Sequence, residues 1–202
     1  MDIMKALSAQ REVSTQLNIV EVAERLFRQI GFQKTTVADI AGELQMSPAN
    51  IYRFFSAKNA INEAVGRNIL REIERAVAEI ARRPGPASKK LRDVVLAIEN
   101  LNAQRFHSDH KLHKLVETAY NENWAILREH FDALDEAITQ IVRQGMSAGE
   151  FLPGDGELAA ILIRSVCIQF FHPSLLANAA QVPKPTVDQM VDFCLRALSR
   201  DE

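Results

Sequence analysis

Two helix-start signals, at positions 36 and 47, stand close together in residues 35–58, TTVADIAGELQMSPANIYRFFSAK, and few folds can use them. Thr36 can cap a helix with Asp39 at its third position, and Val37, Ile40, Ala41 and Leu44 follow on one face. The pattern breaks at Gln45 and Met46. Ser47 is a second capping residue, and Pro48 suits a first helical position, where a missing N–H costs nothing. Two short helices cannot bury their inner faces alone, so an apolar helix has to lie beneath them. The residues before Gly31 supply it, with Val20, Ala23, Phe27 and Ile30 on one stripe, Gly31 placed to end the helix and Phe32 as an anchor that folds back.

Successive helical residues are turned by about 100°, which sets the chemistry of the second short helix. If Ile51 points inward with Phe54 and Phe55 beside it, Ala49 and Arg53 face outward, with Asn50 and Tyr52 at the sides. Such a face suits a DNA major groove. Arg53 and Asn50 would read base edges, Ala49 beside Pro48 would allow close approach, and Thr35, Thr36, Ser47, Tyr52 and Lys58 would hold phosphates. Ser56 is placed to cap a further helix whose first turn carries Lys58, a cation that opposes the helix dipole until an anion such as a phosphate meets it. An ordinary helical hairpin with a solvated outer face is the plainer alternative.

The order and spacing of Ala23-Glu24-Arg25-Leu26-Phe27, Gly31-Phe32, Thr35-Thr36-Val37, Asp39-Ile40-Ala41, Met46-Ser47, Ile51-Tyr52-Arg53-Phe54-Phe55 and Lys58 resemble the amino-terminal domain of the tetracycline-repressor-like (TetR) family of bacterial regulators. The resemblance is confined to the amino-terminal part of the chain. It implies double-stranded DNA as partner, phosphate contacts at Tyr52 and Lys58, a homodimer built on the last two long helices, and a small-molecule effector in the body. A two-fold dimer would present two heads to a palindromic site, with successive major-groove faces about 34 Å apart. Gln45 departs from the family's pattern, which often has glycine in this turn. If the position requires positive φ, glutamine costs about 1 kcal/mol there.

The expected fold is all-α, with a helix-turn-helix DNA-binding domain over residues 1–57, preceded by an arm of little pattern over 1–14. Residues 58–202 would form a linking helix and a helical bundle for effector binding and dimerisation. Ile61, Val65, Ile69, Ile73, Val77 and Ile80 make one stripe that leaves the head and enters the body, and Pro84-Gly85-Pro86 ends it. Helical stripes follow at Leu91, Val94, Val95, Ile98 and Leu101, at Leu112, Leu115, Val116 and Ala119, and at Leu127, Phe131, Leu134, Ile138 and Ile141. The last helix begins at Thr186, with Gln189 completing a capping box. No strand pattern competes. Two terminal helices this apolar either pack wholly into the bundle or are partly covered by a second copy.

With 202 residues, 47% of them hydrophobic, the chain can bury one large or two small cores. Its formal net charge of −2 requires that any DNA contact be local. Cys167 and Cys194 lie among apolar residues and read as buried thiols. The amino terminus lacks the pattern of a signal peptide. The most apolar stretch, 158–171, is interrupted by Arg164, Ser165 and Gln169 and is too short to cross about 30 Å of hydrocarbon. It reads as a buried helix, and the protein is expected in the cytoplasm, away from membranes.

Two constellations in the body compete for attention. His107, His110, His113 and Glu117 include pairs at ligand spacing, which would suit a helical metal-dependent enzyme, but Ser108 or Asp109 is placed to cap a helix that leaves His107 outside, and Lys111 and Lys114 oppose a cation. No metal is expected. Phe106, Trp124, Phe131, Phe170, Phe171 and His172 are candidates for a pocket between helices, or else plain core, and the family resemblance favours an effector cavity. No phosphate-binding glycine loop, nucleophile elbow, His-Glu-x-x-His or Cys-x-x-Cys is present, so neither an enzyme nor a cofactor is expected. An interaction protein with a vestigial helix-turn-helix is the remaining alternative.

Overall fold

The computed structural model describes residues 2–172, 175 and 185–199, and among these every regular element is a helix. In chain order they are α1 (Asp2–Ile30), α2 (Val37–Glu43), α3 (Pro48–Ile51), α4 (Lys58–Arg82), α5 (Ala87–Ser108), α6 (His110–Asn121), α7 (Ile126–Ala148), α8 (Gly156–Val166), α9 (Ile168–Phe171) and α10 (Val187–Leu198). The all-α fold agrees with the sequence pattern.

Two apolar clusters hold these helices, and α4 passes through both. Ile61, Val65, Ile69 and Leu70 pack with α1, α2, α3, α6 and the start of α7, while Ile73, Val77, Ile80 and Ala81 pack with α5, the rest of α7, and α8 to α10. The linking helix is therefore part of two cores and cannot tilt without disturbing each. The first cluster also takes in Leu112, Leu115, Val116 and Ala119 of α6, so the head rests on the body through α6 as well as α4. Arg28 of α1 pairs with Asp109, and the Lys111 ammonium donates to the Gln29 carbonyl, which bolts the start of α6 to the end of α1.

The elbow between α4 and α5 is fixed by side chains of α7 and the loop after it. Buried Lys90 donates to the Ala81 carbonyl (3.0 Å), near the end of α4, and to Gln144 Oε1 (2.6 Å). Glu150 accepts from the backbone N–H groups of Ala87 and Ser88 (3.0 and 3.1 Å) and from the Ser88 hydroxyl. It caps α5 from a distance, because Pro86 at the cap position has no side-chain acceptor of its own. Gly145 lets the Phe151 ring approach α7: a Cβ at that position would overlap the ring.

Several expectations are corrected. The arm over 1–14 is helical from Asp2 onward and continuous with α1. Ile30 is exposed rather than part of the buried stripe. The cap of α4 is Ala57, not Ser56, and it makes no side-chain hydrogen bond; Asp109 at the start of α6 makes none either, its carboxylate being engaged by Arg28. Residues 158–171 form two helices broken at Cys167, and Leu158, Ile161 and Leu162 are exposed, so α8 is not a buried helix. Both cysteines are buried free thiols, and contact with Cys194 together with burial pushes the Cys167 thiol up.

Candidate nucleic-acid interface

Local chemistry builds the reading head. Thr36 and Asp39 form a capping box on α2: the Asp39 carboxylate accepts from the Thr36 N–H (2.8 Å) and hydroxyl (2.8 Å), and the Thr36 hydroxyl oxygen accepts from the Asp39 N–H. Those bonds, first the backbone one, then the hydroxyl, with Lys58 nearby, hold the Asp39 carboxyl below the usual carboxylate range. Leu44 ends the helix, Gln45 takes φ +54°, and the Met46 N–H returns to the Ala41 carbonyl (2.9 Å). The turn thus uses the positive φ that glycine would adopt freely. Ser47 then caps α3, its hydroxyl accepting from the Asn50 N–H (3.2 Å), with Pro48 at the first position.

Ile51 is fully buried, which turns Pro48, Ala49 and Arg53 to solvent and leaves Asn50 half-buried at the edge. Tyr52 is 51% exposed. The Ser47 hydroxyl keeps its hydrogen free for an acceptor, while that of Thr36 is engaged by Asp39. Lys58 donates to the Gln33 carbonyl (3.1 Å), so its ammonium lies at the α2 side of the head. Thr35 differs from the rest: it is fully buried and donates its hydroxyl to the Gly31 carbonyl (2.9 Å), which fits it to hold the turn after α1 rather than a phosphate.

Arg25 pairs with Glu43 (2.6 Å), and Arg28 with Glu24 (2.8 Å) and Asp109. Arg53, Lys34 and Arg11 have no ion-pair partner among the described residues. Of these, Arg11 and Arg53 line one cleft beside α3, so a chain of net charge −2 keeps two unneutralised cations there.

A second polar group lies in the body where α5, α6 and α9 meet. Buried Arg105 donates to Asn102 Oδ1 (3.2 Å) and Glu72 Oε2 (3.3 Å), and the Asn102 amide donates to the carbonyls of Phe170 and Phe171. The Phe106 ring stands edge-on to His113 at 4.9 Å, and Tyr120 contacts both Phe131 (5.9 Å) and His172 (4.6 Å). Arg164 lies over the Phe131 ring at 4.9 Å. Among the described residues, buried His113 Nε2 and His172 Nδ1 have no hydrogen-bond partner, and burial lowers the proton affinity of both imidazoles. Five of the six aromatic candidates adjoin this group. Trp124 does not: its ring lies beside Gly66 of α4, its indole N–H donates to Glu122 (2.9 Å), and it makes no ring contact with them among the described residues. Asn102, Arg105 and Tyr120 were not singled out in the sequence; Tyr120 shares a helical face with His113 and Glu117, a spacing that could have marked it. His110 and His113 stack at 6.3 Å and Glu117 pairs with Lys114 (2.6 Å); no cluster of three or more metal-binding side chains occurs among the described residues.

Residues 19–65 match the family model for bacterial regulatory proteins of the tetR family, and residues 87–191, more than half of the chain, match that for the tetracyclin repressor-like C-terminal domain. The chain belongs to the TetR family. Members are DNA-binding transcriptional regulators, which assigns that function here. An uncharacterized HTH-type transcriptional regulator of Bacillus subtilis, YhgD, is 23% identical over 171 residues, 78% of this chain and 85% of its own. A transcriptional regulator from Pseudomonas aeruginosa has a similar structure, with a TM-score of 0.62 at 21% identity over 89% of this chain and 86% of its own. RolR in complex with resorcinol gives 0.64 at 14% identity, over 94% and 90%. The fold is that of TetR-family regulators, and no described helix is long and apolar enough to cross a membrane.

Proposed function

We propose that this TetR-family chain is a homodimeric repressor of the cytoplasm, released from a palindromic operator by a small molecule bound where α5, α6 and α9 meet. The observation that carries the DNA side is the unpaired, exposed Arg53, which lies in the turn that follows α3 rather than on the helix itself, beside Asn50 of that helix and after its fully buried Ile51. Arg53 and Asn50 read base edges, Ala49 and Pro48 permit close approach, and Ser47, Tyr52 and Lys58 hold phosphates. Thr36 joins them only by giving up its bond to Asp39. Exposed Leu158, Ile161 and Leu162 of α8 and Phe193 of α10 support dimerisation, since an apolar face of that kind is a site for a second copy.

The unpartnered histidine nitrogens and the aromatic rings around them support a ligand site in the body. RolR, which shares the fold, is known with resorcinol bound. Coupling runs through α6: one face carries His113 and Tyr120, the other packs under the head, and Arg28–Asp109 joins it to α1. The effector acts only as far as it binds the DNA-free arrangement more tightly, about 10⁴-fold to turn 1:99 into 99:1.

The test is fluorescence anisotropy of a labelled duplex from the gene's own upstream region against a scrambled duplex, at two salt concentrations. Tight binding to the native duplex alone, weakened by salt and abolished by Arg53→Ala, is the expected result. Equal weak binding to both, unchanged by Arg53→Ala, would defeat it.

A further inference from the structure

The amino-terminal part of α1 is the element that the head does not need for its own core. Ile19 is the first buried residue among those described, the described side chains before it being exposed or half-buried, and α1 extends about 25 Å before it, from Asp2 to Asn18, at about 1.5 Å per residue. This projection does not point away from the reading helix. It forms one wall of a cleft of about 530 Å³ whose other wall is Met46, Asn50, Arg53 and Phe54, with Leu7, Arg11, Glu12 and Thr15 on the α1 side. Arg11 and Arg53 thus face one concavity, both exposed and neither ion-paired among the described residues. Glu12 is the one carboxylate in the lining. The Thr15 hydroxyl is spent on the Arg11 carbonyl (2.8 Å), which leaves the two guanidinium groups and the Asn50 amide as the donors.

We infer that this cleft takes the sugar-phosphate backbone of the bound operator, with Arg11 as a phosphate contact on the strand that flanks α3. A reading helix seated in a major groove has a phosphate strand on either side, and a second helix bordering the same cleft stands over one of them. Two uncompensated cations lining a shared hollow fit an anion that runs between them. A backbone contact of this kind fixes register without reading bases, so Arg11 adds affinity and salt dependence but no base preference. The inference rests on the regulator function set out above.

The experiment compares wild type, Arg11→Ala, Arg11→Lys and Arg53→Ala on the tightest duplex recovered from a random-sequence library and on its scrambled counterpart, by anisotropy across a salt series. Arg11 is exposed and outside both cores, so its substitution leaves the fold intact, which circular dichroism checks. One phosphate contact contributes a slope of about −0.9 in log K against log salt, so going from about 50 to about 200 mM salt weakens the wild type about 3.5-fold more than Arg11→Ala. Arg11→Lys restores the slope, and the preference for the selected duplex is the same in all three. Arg11→Ala with the wild-type slope and affinity would overturn the contact. Tighter binding by Arg11→Ala would do so as well, since it would make the arm a shield over α3, and a changed base preference would place Arg11 in the groove instead. If the wild type prefers no duplex, the regulator function itself fails and the contact with it; if the wild type is selective and Arg11→Ala matches it, only the contact fails.

Discussion

Glu150→Ala removes a cap that comes from outside its helix. In the folded protein the Glu150 carboxylate occupies two of the orphan N–H groups at the start of α5, at 3.0 and 3.1 Å, and the Ser88 hydroxyl besides. Loss of a side-chain cap costs about 1 kcal/mol, and loss of a negative charge at a helix start a further ~0.5 kcal/mol. Water reaches part of this site, so the two orphan donors are rehydrated rather than left bare, and the sum stays near ~1.5 kcal/mol. For a chain of this size that lowers Tm by about 3–6 °C. Burial raises the Glu150 pKa, but the bonds from Ala87 and Ser88 outweigh it and hold the carboxyl below its ordinary value of 4.5. The unfolded chain therefore takes up the proton first as pH falls. The contribution is complete above the unfolded pKa and disappears as pH drops through the lower folded one. Urea unfolding of wild type and variant at one protein concentration, at pH 7 and at a series of acidic pH values, measures it. A gap below about 0.3 kcal/mol at pH 7, or one that persists unchanged to pH 3, would refute the capping argument.

Other substitutions test separate parts of the structure. Gln45→Gly relieves the positive φ of the turn between α2 and α3 and should raise the stability of the head by about 0.5–1 kcal/mol, read by chemical denaturation; a loss would show that the glutamine side chain holds the turn. Gly145→Ala places a methyl group on the buried Phe151 ring and 2.9 Å from the Ala87 Cβ, with an expected cost of about 1–3 kcal/mol; an unchanged Tm would mean that the loop after α7 gives way freely. Leu162→Glu and Phe193→Glu charge two side chains that are each 55% exposed in the single chain, and sedimentation should show monomers that keep their helical signal; dimers of wild-type affinity would place the interface elsewhere.

Local chemistry is what the sequence made legible. The capping boxes at Thr36 and Thr186, the cap at Ser47, the strained turn at Gln45 and the limits of α4 each depend on residues a few positions apart, and each appears in the structure. The stripe from Ile61 to Ile80, long enough to leave the head and enter the body, packs into both cores. What the sequence hid was which surface meets what. Apolar periodicity marks a face to be covered without saying by what, so α8 read as buried although Leu158, Ile161 and Leu162 are exposed. Thr35 read as a phosphate donor because a hydroxyl beside a helix start looks available, whereas its hydrogen is engaged four residues back. Trp124 stands with the other aromatics as a candidate in the sequence, whereas in the fold its ring lies beside Gly66 of α4 and meets none of theirs among the described residues. The arm over 1–14 has no apolar stripe to mark it as helical, yet from Asp2 it continues a helix already nucleated by the core beneath the head.

Selection from a random-sequence duplex library with the wild-type protein, followed by sequencing, bears most directly on sequence-specific reading by α3. The expected result is a single enriched motif with two-fold symmetry, its half-sites centred about 34 Å or a multiple apart along the duplex, and lost from the pool when Arg53→Ala replaces the wild type. A pool that remains random with the wild type, or a motif that Arg53→Ala recovers unchanged, would contradict it.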